Sequence, residues 1–153
     1  MVIFFCSNFR INFKCDGQEC PPHTVFRIVE PPMDNRIRFI THQGKQILLV
    51  DISHLSPAEL LKVSRVVPHH VMTQPRESVL LLADFTGTEF DREAITSLKE
   101  STVFDRPHVK KSAWVGTENL PRVFYEHIKL FSQRELPTFK TREEALDWLV
   151  KDE

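Results

Sequence analysis

Ser78-Val-Leu-Leu-Leu-Ala-Asp-Phe-Thr-Gly-Thr-Glu-Phe-Asp91 decides the fold of this chain. Residues 79–83 are apolar without interruption, so the strand they predict is covered on both faces, as in the middle of a helix-covered sheet. The strand runs out into Asp84, Phe85, Thr86, Gly87 and Thr88, and Asp91 stands where it can cap a helix. In open α/β sheets, ligands and partners are met at the carboxyl ends of such strands. One stretch therefore indicates both an architecture and a place to look for function.

Upstream, Arg36 to His42 predicts a half-buried strand with Ile37, Phe39 and Thr41 on its inner side, and Gln43-Gly44-Lys45 turns it into a second strand, Ile47 to Ile52. Ser56-Pro57-Ala58-Glu59 is a capping box with proline at the first helical position. The helix it opens turns Leu60, Leu61, Ser64, Val67 and Val71 to the sheet. Pro68 lacks an N–H and is expected to kink or end that helix, which puts His69 and His70 at a break.

Downstream, Ala94, Ile95, Leu98 and Thr102 keep helical spacing as far as Phe104. Ser112 to Gly116 predicts a fourth strand. Asn119-Leu120-Pro121 then opens a helix with Leu120, Val123, Phe124, His127, Ile128 and Phe131 inward. Leu136 to Lys140 predicts a short strand, and Thr141-Arg-Glu-Glu144 a second capping box. Ala145, Leu146 and Leu149 form the inner face of that last helix, with Trp148 flanking it. The order β-β-α-β-α-β-α-β-α predicts an α/β fold: a mainly parallel sheet with an antiparallel N-terminal edge hairpin and covering helices.

At 153 residues the chain is long enough for one domain with a real core plus an appendage. Its 20 basic and 21 acidic residues are interspersed, which leaves no electrostatic footprint for nucleic acid. Apolar runs fall far short of the roughly 20 residues a membrane helix needs, so no transmembrane segment is expected. Met1 to Cys6 is apolar but lacks the basic flank and length of a signal peptide. Cys6, Cys15 and Cys20 all lie in the first 20 residues, and a domain that forgoes disulfides suits a reducing, cytoplasmic setting.

Residues 1–32 differ from the rest. They hold the pairs Pro21-Pro22 and Pro31-Pro32, no helical period, and two weak strand patterns, Phe9 to Phe13 and Val25 to Val29. Met33 follows directly and opens the regular region. Two expectations stand side by side: translation beginning at Met33, or a genuine extension that precedes a domain at 33–153.

Three segments carry a resemblance. They are Leu80-Leu-Leu-Ala-Asp-Phe-Thr-Gly87, His108-Val-Lys-Lys-Ser-Ala-Trp-Val-Gly116, and Phe131-Ser-Gln-Arg-Glu-Leu-Pro-Thr-Phe-Lys-Thr-Arg-Glu-Glu-Ala-Leu-Asp-Trp-Leu149. In wording, order and spacing, residues 34 to 151 resemble the SpoIIAA-like family of the STAS/SEC14-like group. The resemblance implies a small α/β domain acting as a switch, a ligand-binding module or a part of a larger protein. It also sets Thr86 of Asp84-Phe85-Thr86-Gly87 at the place where anti-sigma-factor antagonists carry a phosphorylated hydroxyl. Phe85 departs from that pattern, and Asp84, Glu89 and Asp91 surround Thr86 with acids that oppose a phosphate.

Other chemistries fit less well. Asp51, Asp84, Lys110 and Lys111 suggest a receiver-like site, but both lysines precede their strand and so belong at the opposite edge from the aspartates. Cys15, Cys20 and His23, with Cys6, have spacings of which only one comes near the tight Cys pairs of a structural zinc site, so no metal and no cofactor are expected. His127 reads as a satisfied core histidine. No Gly-x-Ser-x-Gly elbow or glycine-rich phosphate loop is present. Tyr125, Leu130 and Trp148, if clustered, would make a surface for a partner or for a homodimer.

The reading that results is a non-catalytic regulatory or binding domain. It would take a protein partner or a small apolar or anionic ligand around Asp84, Thr86, Gly87 and Thr88, with Asp51, Ser53 and His54 alongside. Phe85 and Phe90 would supply apolar surface, and Thr86 is the candidate phosphoacceptor. One alternative is a carrier of a lipid or small apolar molecule. Another is an enzyme pairing His54, His69 or His70 with Asp51, which requires a shared pocket.

Overall fold

The computed structural model describes residues 35–152. The cysteines and the strand patterns before Met33 lie outside them. Strands β1 (Ile37–His42) and β2 (Lys45–Asp51) form the antiparallel hairpin. Gln43 and Gly44, at φ 48° and 81°, make its two-residue turn, with the left-handed backbone that matches strand twist. Then follow α1 (Pro57–Met72), β3 (Val79–Asp84), α2 (Arg92–Phe104), β4 (Val109–Val115), a 3-10 turn at Thr117–Asn119, α3 (Arg122–Ser132), β5 (Thr138–Phe139) and α4 (Arg142–Val150).

The five strands lie in sequence order, β1-β2-β3-β4-β5, and every pair after the first is parallel. Parallel crossovers are right-handed, so a sheet that always grows in one direction places α1, α2 and α3 on one face. Their core contains Leu48, Val50, Leu81 and Ala83 of the strands with Leu60, Val63, Leu98, Phe124 and Ile128 of the helices. Helix α4 folds onto the other face, where Ala145, Leu149 and Val150 meet Ile47, Leu49, Leu80, Leu82, Ala113 and Val115. Every residue of β3 is buried, as its apolar run demands.

Three helix starts carry the side-chain caps that the sequence predicts: Ser56 and Glu59 make a reciprocal capping box, Asp91 accepts from the Ala94 amide at 2.7 Å, and Thr141 accepts from the Glu144 amide at 3.2 Å. The second box is one-sided, because the Glu144 carboxylate takes the Lys140 amide at 3.3 Å instead of that of Thr141, and α3 opens at Arg122 with no side-chain cap, Asn119 lying in the 3-10 turn before it. Four further expectations need correction. Helix α1 continues through Pro68 to Met72, so His69 and His70 occupy its last turn; buried Val63, Val67 and Val71 hold that turn to the sheet across the missing hydrogen bond. In β1 only Ile37 is buried, while Phe39 and Thr41 are open because the strand is an edge.

Strand β4 starts at Val109, so Lys110 and Lys111 lie in the strand rather than before it. Helix α3 turns Phe124, Ile128 and Ser132 inward, leaving Val123, His127 and Phe131 exposed. Tyr125 is half-buried instead, its ring 5.9 Å from Trp114 in an edge-on contact and its hydroxyl donating to the Leu136 carbonyl. Among the described residues no helix is long and apolar enough to cross a membrane.

Candidate functional site

Asp51 and Asp84 are register partners at the ends of β2 and β3, so the parallel sheet delivers two carboxylates side by side. Each opens the same local motif. Asp51 Oδ1 accepts from the Ser53 amide at 3.1 Å and from its hydroxyl at 2.5 Å; Asp84 Oδ1 accepts from the Thr86 amide at 2.9 Å and from its hydroxyl at 2.6 Å. Such side-chain to backbone bonds two residues on give the chain a turn in place of further strand.

The second oxygens share one cation. Arg142 donates through Nε to Asp84 Oδ2 at 2.5 Å, and its Nη2 lies 3.0 Å from Asp51 Oδ2. On the outer side Arg36 Nη1 donates to the carbonyls of Asp51 and Ser53, both at 3.2 Å. The guanidinium fork spans two carboxylates that would otherwise repel. Burial pushes the Asp51 carboxyl up, yet the Ser53 hydrogen bonds and Arg142 outweigh it and hold the group below its ordinary range. Burial likewise pushes Arg142 down, and its bonds to Asp84 and Asp51 more than restore it.

Arg142 was missed by the sequence reading. It is the first residue of α4 after the Thr141 cap, where the helix dipole disfavours a cation. A basic residue at such a position is the signal that something outside the helix requires it.

Backbone bonds bind the two loops to each other. The Ile52 amide donates to the Asp84 carbonyl at 3.1 Å, the His54 amide to the Thr86 carbonyl at 2.8 Å, and the Glu89 amide to the Leu55 carbonyl at 3.0 Å. Thr88 is fully buried, its hydroxyl donating to the Ile52 carbonyl at 2.6 Å. Phe85 is also inside, 4.8 Å from the Trp114 ring and 6.1 Å from that of Phe90. The side chains of Phe85 and Thr88 are therefore fixed in the interior and not offered to a partner. Asp84 is buried as well and reaches the surface only through Arg142.

What the loops do present is His54, Thr86 and Gly87, all exposed. Gly87 has φ +67°, and a Cβ added there would run into the His54 ring. His54 itself has φ 56°. A glycine is needed where two loops approach this closely in a left-handed conformation.

The enzyme alternative required His54, His69 or His70 to share a pocket with Asp51. His69 and His70 sit in the last turn of α1, and His54 precedes its first, so a helix about 20 Å long separates them. The lysine placement holds in outline: Lys111 pairs with Leu80 at the start of β3, while Asp84 pairs with Val115 at its end. Among the described residues no group of three or more His, Cys, Asp or Glu side chains is placed to hold a metal ion.

A second feature lies beneath. A cavity of about 40 Å³ lies between the sheet and the helices α1 and α2, walled by Leu60, Val63, Phe85 and Trp114, with Asp105 and Arg134 at its polar end. Asp105 Oδ1 and the Nε and Nη1 of Arg134 have no partner among the described residues. Burial pushes the Asp105 carboxyl up to about 7, against the pull of Arg134.

A solved structure from Shewanella loihica PV-4, a protein of the DUF3478 family described as having a SpoIIAA-like fold, superposes on this chain with a TM-score of 0.58. The match covers 74% of this chain and 91% of that one at 17% identity. The fold is SpoIIAA-like. No protein-family model matches the chain, and no curated protein sequence matches it with significance. In this SpoIIAA-like frame, the Asp84-Phe85-Thr86-Gly87 turn ends the central strand with Thr86 and Gly87 exposed, and Arg142 ties it to its neighbour.

Proposed function

We propose that this SpoIIAA-like chain is a non-catalytic binding domain that engages a protein partner at the carboxyl ends of β2 and β3. The contact centres on exposed His54, Thr86 and Gly87. Asp51, Ser53, Asp84, Phe85 and Thr88 hold that surface from behind. The observation that carries the reading is the Arg142 bridge between two identical Asp-x-Ser/Thr turns. It spends the polar groups of both loops on one another and leaves a rigid, weakly charged knob. Rigid presentation lowers the entropic cost of docking. A phosphate on Thr86, whose hydroxyl now donates to Asp84, would break that bond and set two acids against each other, so modification would weaken the platform.

The test is affinity capture with the full chain from cells that make it, quantified against Thr86→Glu and His54→Ala proteins. A partner held by the parent chain, lost by both variants and retained by a Glu126→Gln control at an exposed position of α3 supports the site. Equal retention by all four removes it. The carrier reading draws on the cavity under α1 and α2, but 40 Å³ holds only a few atoms, so a lipid would require those helices to part. Organic extraction of the protein from its own cells tests that reading directly.

A further inference from the structure

At the other end of the sheet, the first residues of β2 and β4 and the end of α4 enclose a groove. Two depressions, of about 660 and 500 Å³, share Lys110, Lys111, Lys151 and Asp152 as walls. Lys45 adds to the first, and Arg134 and Glu135 to the second. The chain as a whole has a net charge of -1, so this excess of cations is a local arrangement. Each depression falls in the size range of small-molecule sites, roughly 300–1,000 Å³.

Part of the cluster serves the fold. Lys45 Nζ donates to the Val150 carbonyl at 2.9 Å and Lys111 Nζ to that of Lys151 at 2.7 Å, which places cations at the carbonyl end of α4. An ammonium has three donors, so those two are not exhausted. Lys110 and Lys151 are exposed and make no ion pair or side-chain hydrogen bond among the described residues. An anion already rests there: the Asp152 carboxylate bonds to Lys45, and this bond, with the nearby charges of Lys110 and Lys111, holds it below its ordinary range.

We propose that this groove binds a small molecule bearing clustered phosphate groups, which settle among Lys45, Lys110 and Lys151 and displace the Asp152 carboxylate. Several ammonium point charges around one concavity suit a multiply charged anion with many acceptors. A single planar carboxylate is better matched by a guanidinium fork, and that of Arg134 is turned inward, its Nη2 donating to the Thr102 carbonyl at 2.6 Å and its Nε and Nη1 buried. Trp148 walls the second depression with Lys111 Nζ 4.9 Å from its ring, so the indole reports on occupancy.

The experiment titrates the full chain with inorganic tripolyphosphate at low salt, by calorimetry and tryptophan fluorescence together. Lys110→Glu and Lys151→Glu should each weaken binding about fivefold or more, as reversal of an exposed charge allows. Asp152→Asn, which removes the resident anion, should tighten it. Lys62→Glu, the same charge change at an exposed position of α1, should leave it unaltered, and thermal melts check that all four variants fold. No saturable binding at millimolar tripolyphosphate overturns the proposal. So does weakening by Lys62→Glu equal to that by Lys110→Glu, or indifference to Asp152→Asn.

Discussion

Replacing Arg142 with methionine preserves much of the side chain's length and removes the charge that joins β2 to β3. The cost can be bracketed from exposure: the side chain of Asp84 is 6% exposed, that of Asp51 22% and that of Arg142 34%. Stranding one partner of a fully buried pair costs about 3–5 kcal/mol, and losing a solvated pair at most about 1 kcal/mol. With one carboxylate inside and the other half-solvated, the loss should be about 2–3 kcal/mol at pH 7. That is a fall in Tm of about 10 °C for a domain of this size. The pH dependence supplies a second check. A carboxyl depressed in the folded state, as Asp51 is, gives stability that is present above its unfolded value of 3.8 and is lost as pH falls through the lower folded value. The variant has less of this to lose, so the gap between the two proteins should narrow in acid. Urea unfolding of both at pH 7 and pH 3 measures it, and Arg142→Lys should restore no more than half, because one ammonium cannot fork across two carboxylates. A deficit under about 1 kcal/mol at pH 7, or one just as large at pH 3, would refute the clamp.

Gly87→Ala should cost about 1–3 kcal/mol from its left-handed backbone and the collision with His54. Pairing it with His54→Ala should recover the steric part alone, as a double-mutant cycle by thermal melting would show. Thr88→Val keeps the shape and strands the Ile52 carbonyl, so a loss of about 1–2 kcal/mol is expected in urea unfolding. For Asp105, burial raises the folded value from 3.8 to about 7, so the folded state keeps a proton that the unfolded chain releases and stability falls as pH rises from about 4 to 7. Asp105→Asn should abolish that slope and exceed the parent protein by about 4 kcal/mol at pH 8; an unchanged slope would show that another group causes it.

The elements legible in the sequence were those fixed by local chemistry. An uninterrupted apolar run, a two-residue turn with glycine and three side-chain caps each have one physical solution, and the structure adopts it. Helix α3 was harder because its apolar residues form two stripes offset by one position, Val123-His127-Phe131 and Phe124-Ile128-Ser132. Period alone cannot rank them. The choice is made by what α3 meets, including Trp114 against Tyr125 and the Leu136 carbonyl at its hydroxyl. At the site, the two aspartates could be read from strand ends, but Arg142 lies 58 residues from Asp84 and reaches it only once α4 has folded over the far face. Exposure was equally hidden: Thr86 and Thr88 look alike in sequence, and the backbone turn sends one out and the other in.

Helix α4 connects the two ends of the sheet. Its nine residues, about 13 Å long, are too few to be stable alone, so its persistence depends on what holds it. Arg142 fixes its N-terminus to the aspartates, and Lys45 and Lys111 hold its last carbonyls beside the lysine groove. Between these anchors Ala145 and Leu149 pack on the sheet. Loosening one anchor must therefore lower the free energy of opening the whole helix, because so short a helix has no independently stable half. Native-state hydrogen exchange should show the amides of Leu146 to Val150 accelerated in the Arg142→Met protein, by a factor matching its loss in global stability. Acceleration confined to the first turn would mean that α4 frays from its N-terminus, and would separate the strand-end platform from the groove at the helix's other end.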